Sequence, residues 1–326
     1  MMVAMTDQIE LTVVIPVFNE EINIVPMYDR LLAALSEKVE GLELLYVDDG
    51  SADASWERIS ELATRDECVR GVRFARNFGH QAALTAGVDV ARGRAVVIID
   101  GDMQDPPEVI PEMVDRWREG FEVVYGKRET REGETWFKLA TASAFYRILR
   151  GITNVDIPVD TGDFRLMGRR AVTAFRAMPE RNRFIRGLVS WIGFPQTAVM
   201  YRRQARKAGE TKFPVRKMTR FALDGITSFS FFPLRLATWT GFAVSIFAFL
   251  YIAVVLVLKA TGVSWLGYTS LMASILFLGG VQLLMIGIMG EYLARIFDEV
   301  KRRPLYLVGD RTDGDETVIP PERPVA

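Results

Sequence analysis

Two adjacent runs near the end of the chain constrain its fold more than any other feature. Leu236 to Leu258 holds 23 residues without a charge, enough at about 1.5 Å per residue to cross a hydrocarbon core about 30 Å thick. After Lys259, the stretch Ala260 to Gly290 is again free of charge. One such run is compatible with the core helix of a soluble domain; two in succession predict a pair of membrane-spanning helices. Basic residues crowd the outer flanks, with Arg216, Lys217, Arg220 and Arg235 before the pair, Arg295, Lys301, Arg302 and Arg303 after it, and only Lys259 between. The positive-inside rule then places both termini in the cytoplasm and the short turn outside. Just ahead of the spans, Met218, Phe221, Ala222, Gly225, Ile226 and Phe229 recur at helical spacing among Arg216, Lys217, Arg220 and Asp224. That pattern predicts an amphipathic helix lying in the membrane interface. The expected division is a cytoplasmic α/β domain over 1–212, an interfacial region over 213–234, two membrane helices over 235–291 and a cytoplasmic, polar, Pro-rich, poorly ordered tail over 292–326.

The part before the spans alternates strand and helix patterns. Leu11 to Val17 reads as a strand, followed by Ile24, Met27, Leu31 and Leu35 at helical spacing. Leu42 to Val47 is a second strand ending in Asp48-Asp49-Gly50-Ser51, and Val69 to Phe74 a third. Gly79 to Ala91 is a helix made slim by Ala82, Ala83 and Ala86, and Phe121 to Gly126 a fifth strand. Glu134 to Gly151 reads as a further helix, and Asp160-Thr161-Gly162-Asp163-Phe164-Arg165 as a charged glycine turn before a short strand. The order is that of a Rossmann-like, doubly wound sheet with a ligand site along its carboxyl edge. No G-x-G-x-x-G follows the first strand, which argues against a dinucleotide.

The fourth strand states the chemistry most plainly. Ala95 to Ile99 is apolar throughout, as in a fully buried parallel strand, and it ends abruptly in Asp100-Gly101-Asp102-Met103-Gln104-Asp105. Two carboxylates around a glycine at the end of a buried strand suit Mg²⁺ or Mn²⁺, which take one or two protein carboxylates and complete their shell with phosphate oxygens and water. A solvated turn capping the helix begun by Pro106-Pro107 is the plainer reading of the same residues. Asp48 is placed to accept hydrogen bonds from a base or ribose and Asp53 to cap the next helix. Arg202, Arg203, Arg206, Lys207 and Lys212 form a basic loop suited to clamping phosphate.

Charge and rare residues exclude other classes. With 40 basic and 41 acidic residues, the chain lacks the bulk positive charge of a nucleic-acid binder. A single cysteine, Cys68, rules out an internal disulfide and fits a reducing compartment. His80 is the only histidine, so neither a His cluster for a metal nor a Ser-His-Asp triad can assemble; its helix-start position suits a structural role as well as a ligand contact. Asp7 and Glu10, without a basic segment before them, predict no signal peptide.

Taken together, VVIPVFNE, VDDGS, ARNFGHQAALTAG, IIDGDMQDPPE, VVYGKR, DTGDFRLM and RRQARKAGETK, followed by two spans, resemble glycosyltransferase family 2 in its polyprenyl-phosphate branch, which includes bactoprenol glucosyltransferases and dolichyl-phosphate mannose synthase. The resemblance implies a GT-A catalytic domain using a nucleotide sugar and Mg²⁺ or Mn²⁺. It implies that Pro16, Phe18, Glu20 and Asp48 hold the nucleoside and that Asp100, Asp102 and Gln104 organise metal and diphosphate. By the same likeness Arg128, Arg131, Arg203, Arg206 and Lys212 meet phosphate groups, and Asp163 and Arg165 sit by the reacting carbon. Glycine at 101 replaces the alanine of many relatives, and the Q-x-x-R-W signature of processive synthases is missing, which disfavours a polymerase.

The expected activity is inverting transfer of one hexose from a UDP-hexose, foremost UDP-glucose, to polyprenyl (undecaprenyl) phosphate at the cytoplasmic membrane. GDP-mannose as donor, another membrane lipid as acceptor and a non-enzymatic envelope scaffold are the alternatives. The resemblance also allows a homo-oligomer assembled through the membrane helices.

Overall fold

The computed structural model describes residues 9–129, 161–178, 180–181, 183–203, 232–261, 267–315 and 318. The chain divides into two compact units, one made of 1–150, 155–214 and 303–326, the other of 151–154 and 215–302.

The first unit is built on an eight-stranded sheet. Its strands are β1 (Leu11–Val17), β2 (Leu42–Asp48), β3 (Val69–Phe74), β4 (Ala95–Ile98), β5 (Val123–Arg128), β6 (Thr161–Gly168), β7 (Gln196–Tyr201) and β8 (Val308–Arg311). Its helices are α1 (Ile24–Leu35), α2 (Ser55–Arg65), α3 (His80–Val90), α4 (Ile110–Arg118), α5 (Arg169–Ala177) and α6 (Ile185–Trp191). The order across the sheet is β7-β5-β6-β4-β1-β2-β3-β8. Strands β4, β1, β2 and β3 run parallel, so the chain reverses its winding between β1 and β4. That switch point opens a crevice at the carboxyl ends of these strands, where α/β sheets bind ligands.

The sheet is mixed, with the doubly wound order carried by its parallel strands. β6 lies antiparallel between β4 and β5, and Asp163 and Arg165 sit inside this strand rather than in a turn before it. The glycine pattern there suggests a turn, yet Gly162 and its neighbours are extended and paired, because β-propensity yields to position in the sheet. The tail is also corrected. β8 adds antiparallel to the edge of β3, with Tyr306 buried and stacked 4.9 Å from Phe74. Its hydroxyl lies 3.3 Å from Asp89 Oδ2. A polar, Pro-rich composition hides a strand of four residues whose order comes from edge pairing and one aromatic anchor.

The parallel strands are buried on both faces, as helices on either side require. α1 packs Ile24, Met27, Leu31 and Leu35 into the core, the four positions its periodicity marked. α3 packs tightly against β1. A Cβ on Gly87 would stand 2.1 Å from Val14 Cγ1, so only glycine admits this approach. The close seating fixes the start of α3 beside the carboxyl edge of the sheet.

The second unit holds α7 (Phe232–Ala260) and α8 (Tyr268–Lys301). Both are long and apolar enough to cross a membrane, the most apolar 18-residue stretch of each having a mean hydropathy of 2.7 and 2.2. The helices outrun the apolar stretches: α8 continues through Glu291, Arg295, Asp298 and Glu299 and stops at left-handed Arg302 before Pro304. A helix of 34 residues is about 51 Å long, well beyond the thickness of a hydrocarbon core. The interfacial region over 213–231 and the helix over Glu134–Gly151 lie outside the described residues.

Candidate active site

The carboxyl ends of β1 and β2 form one wall of the crevice. Pro16 is buried in β1 opposite Val47, while Phe18, just past the strand end, is half exposed. Glu20 Oε2 accepts a hydrogen bond from Asn23. Asp48 is fully buried, with Oδ1 taking the Ser51 N–H at 3.0 Å. Its Oδ2 has no hydrogen bond and faces Arg73 Nε at 3.4 Å. Burial pushes the Asp48 carboxyl above its ordinary range, against the pull of Ser51 and Arg73. Asp49 accepts the N–H groups of Phe78 and Gly79 and thereby ties the loop before α3 to β2. Asp53 does hold the first turn of α2 through the Ser55 N–H, and it also accepts the Glu21 N–H across the crevice.

The end of β4 forms the floor. Gly101 lies against β1, where a Cβ would stand 2.9 Å from Pro16 O. Asp102 Oδ1 accepts the Gln104 N–H at 3.1 Å around Met103, a buried residue at φ 63°. A left-handed methionine is a strained backbone of the kind found where a site dictates the turn. Asp100 Oδ1 is buried without a hydrogen bond, and His80 Nε2 lies 3.5 Å from it. Burial pushes the Asp100 carboxyl up to about 6, with Asp105, Asp163 and Asp102 adding repulsion against the pull of His80.

The third wall comes from β5, β6, β7 and α6. Asp163, buried in β6, accepts Arg186 Nε at 2.8 Å and Nη2 at 3.3 Å. Gln81 Nε2 lies 3.4 Å and His80 Nε2 3.5 Å from Asp163 Oδ2. Burial alone would raise this carboxyl, but the His80 hydrogen bond and the Arg186 charge outweigh it and hold Asp163 far below the usual carboxylate range. The same two carboxylates outweigh desolvation at His80 and raise its pKa. Arg165 is buried beside Asp163 with Nη2 donating to Gly162 O, and burial lowers its pKa to about 10. Tyr201 donates to buried Asp105 at 2.6 Å and accepts Arg128 Nε at 3.3 Å, with Arg203 Nε 3.8 Å from the same carboxylate.

The structure therefore brings Asp100, Asp102, Gln104, Asp163 and Arg165 to one end of the sheet, with Pro16, Phe18, Glu20 and Asp48 on the adjoining strand ends and Arg128 and Arg203 beside Asp105. Arg131, Arg206 and Lys212 lie outside the described residues. Sequence reasoning left His80 undecided between structure and ligand, counted Asp105 among the acids of the run without giving it a role, and passed over Gln81, Arg186 and Tyr201. The position of His80 at the start of the helix that leaves β3 was a usable signal, since such helix starts line the carboxyl edge. Arg186 carries no local signal, because its partner is 23 residues away on another strand.

No three His, Cys, Asp or Glu side chains among the described residues are arranged to cage a metal by themselves. The donor set nevertheless fits a hard divalent cation that brings its own phosphate and water ligands. Asp100 keeps a buried oxygen without a hydrogen bond, and acid groups outnumber bases around it.

A mixed sheet with acids at its switch point and cations at the adjoining strand ends is that of a GT-A glycosyltransferase. The family model for glycosyl transferase family 2 matches residues 12–175, and that for the GtrB C-terminal hairpin matches 232–296. The chain belongs to glycosyltransferase family 2. It is 50% identical to the glycosyltransferase YkcC of Bacillus subtilis (strain 168), over 93% of this chain and 94% of that one. It is 43% identical to the prophage bactoprenol glucosyl transferase homolog of Escherichia coli (strain K12), covering 92% and 98%. The SfII prophage-derived bactoprenol glucosyl transferase of Shigella flexneri is 44% identical, covering 92% and 97%.

Proposed function

We propose that the enzyme transfers a single hexose, glucose from UDP-glucose, to the phosphate of a membrane polyprenol at the cytoplasmic face, inverting the anomeric carbon. The bond from the anomeric carbon to the nucleoside diphosphate breaks, the diphosphate leaves with the electron pair, and an acceptor phosphate oxygen forms the new bond. The names of the bactoprenol relatives support the acceptor and the sugar, and the two apolar helices support the location.

The observation that carries the reading is the state of Asp163. A carboxylate ion-paired by Arg186 and pulled far below its ordinary pKa is a poor general base, which works best with a pKa near the operating pH. A lipid hydroxyl would need such a base. A phosphate monoester does not, since its second pKa of about 6 leaves it largely dianionic at neutral pH. What it needs is cationic positioning, which we assign to Arg128 and Arg203, found beside Tyr201 and Asp105, with Arg131, Arg206 and Lys212 as further phosphate contacts. Asp163 and Arg165 then orient acceptor and sugar.

Asp48, with Pro16, Phe18 and Glu20, binds the nucleoside. Asp100, Asp102 and Gln104 would hold Mg²⁺ or Mn²⁺, which when bound neutralises charge on the departing diphosphate.

The test is transfer of radiolabelled sugar by the purified full chain in detergent to undecaprenyl phosphate, across a panel of UDP- and GDP-sugars, with EDTA controls. Metal-dependent label in an acid-labile lipid from UDP-glucose is the expected result. Label from GDP-mannose would correct the donor, and label reaching only a lipid alcohol would overturn the acceptor.

A further inference from the structure

The chain returns from α8 to the first unit after only Arg302–Leu307, and β8 runs along the edge of β3. This return is firmly fastened. Tyr306 stacks on Phe74, Thr312 Oγ1 accepts the Gly71 N–H at 2.8 Å, and the Thr312 N–H donates back to Gly71 O. The register sets Asp310 directly opposite Arg73, at a point where the pairing shifts between Arg73 and Phe74.

Arg73 looks two ways. Its Nη1 lies 3.9 Å from Asp310 Oδ2, while Nε lies 3.4 Å from Asp48 Oδ2 and Nη2 donates to Ser51 O at 3.4 Å. Asp48 Oδ2 is buried with no hydrogen bond, and Arg73 is the charged group that faces it, its attraction adding to the pull of the Ser51 hydrogen bonds against desolvation. Arg73 thus bridges a buried acid of the crevice and an exposed acid of β8, each biasing the orientation of its guanidinium.

We propose that the C-terminal strand is part of the donor site: Asp310 is a positioning residue that fixes Arg73, and through it sets the Asp48 carboxylate for the nucleoside. The inference rests on the assignment of Asp48 to the donor nucleoside. It gives the segment after the membrane helices a role in substrate affinity, exerted through Arg73.

The experiment is calorimetric titration of UDP and GDP, with Mg²⁺, into the full chain in detergent, together with donor KM and kcat, for wild type, Asp310→Ala, Asp310→Glu, Arg73→Ala and the Arg73→Ala/Asp310→Ala double variant. An ion pair this exposed implies about threefold weaker nucleotide binding and a matching rise in KM for Asp310→Ala, with kcat retained. Asp310→Glu restores both, and Asp310→Ala has no further effect once Arg73 is alanine. Unchanged nucleotide affinity in Asp310→Ala, or the same loss in the Arg73→Ala background, would overturn the proposal while leaving the donor site in place. A wild-type chain that binds neither nucleotide would overturn the assignment of Asp48 along with it.

Discussion

Arg186 grips Asp163 with two nitrogens, Nε at 2.8 Å from one carboxylate oxygen and Nη2 at 3.3 Å from the other. The two residues come from α6 and β6, so the pair also fastens a short helix to the end of the sheet where the candidate site lies. Paired in this fork, Asp163 has one orientation and one charge. Arg186→Ala releases it, and misplacement at a reacting centre costs on the order of 10²-fold. We expect kcat to fall by about that factor with donor KM little changed, and Arg186→Lys, which cannot form the fork, to recover only part of it. Steady-state kinetics on the detergent-solubilised enzyme decide this, and a wild-type kcat in Arg186→Ala would dismiss the positioning role.

The depressed pKa of Asp163 makes a second expectation, with a definite sign. Its folded value lies below the ordinary 3.8, so its stabilising contribution is complete above that pH and is lost only as pH falls below it. Between pH 5 and 8 the group is ionised in both folded and unfolded chains. Its charge also raises the pKa of His80, so the melting-temperature difference between wild type and Asp163→Asn should narrow as pH rises through this window and His80 loses its proton, with no change arising from Asp163 itself. Any acid limb in the kcat/KM profile of the wild type should persist in the residual activity of Asp163→Asn, and its disappearance would restore Asp163 as a base.

At the floor of the crevice, Asp102→Asn keeps the shape of the turn and removes a hard ligand charge. Loss of several kcal/mol of charge stabilisation corresponds to at least about 10³-fold in turnover. EDTA should silence the wild type to a similar extent, with recovery on adding Mg²⁺ or Mn²⁺. Near wild-type transfer by Asp102→Asn would remove the metal assignment.

Gly87 tests the fold apart from the chemistry. With Val14 Cγ1 only 2.1 Å from where a Cβ would lie, Gly87→Ala must push α3 off β1, and overpacking of this kind costs about 1–3 kcal/mol. A lower thermal midpoint is expected. Because α3 carries His80 and Gln81 to the site, activity should decline as well, and an unchanged midpoint would mean the helix shifts at no cost.

The sequence made some of this site plain and hid the rest for physical reasons. Strands β1 and β4 announce themselves because burial on both faces favours near-continuous apolar runs, and the acids after β4 stand out against that background. α1 shows its core face through strict helical spacing. The short strand expected at β6 begins earlier than its pattern suggests, because its charged residues, Asp163 and Arg165, are buried by partners from other elements, and no local pattern encodes such partners. For the same reason Arg186 and Tyr201 gave no sign of themselves. β8 was hidden by length and composition, since an edge strand of four residues draws its order from a neighbour.

The return of the chain to β3 has a consequence for how the protein is made. The apolar helices are an excursion from a sheet whose eighth strand lies beyond them, so they cannot be removed by cutting the gene short. A stop codon ahead of them deletes Tyr306 and β8 as well, and leaves the β3 edge bare. During synthesis the ribosome delivers β1 to β7 first, then both helices, and β8 last, when the earlier strands have had time to collapse. The last strand thus closes the sheet only after the helices have left the ribosome. A water-soluble version would be obtained by excising the helices internally and splicing a short linker to Arg303.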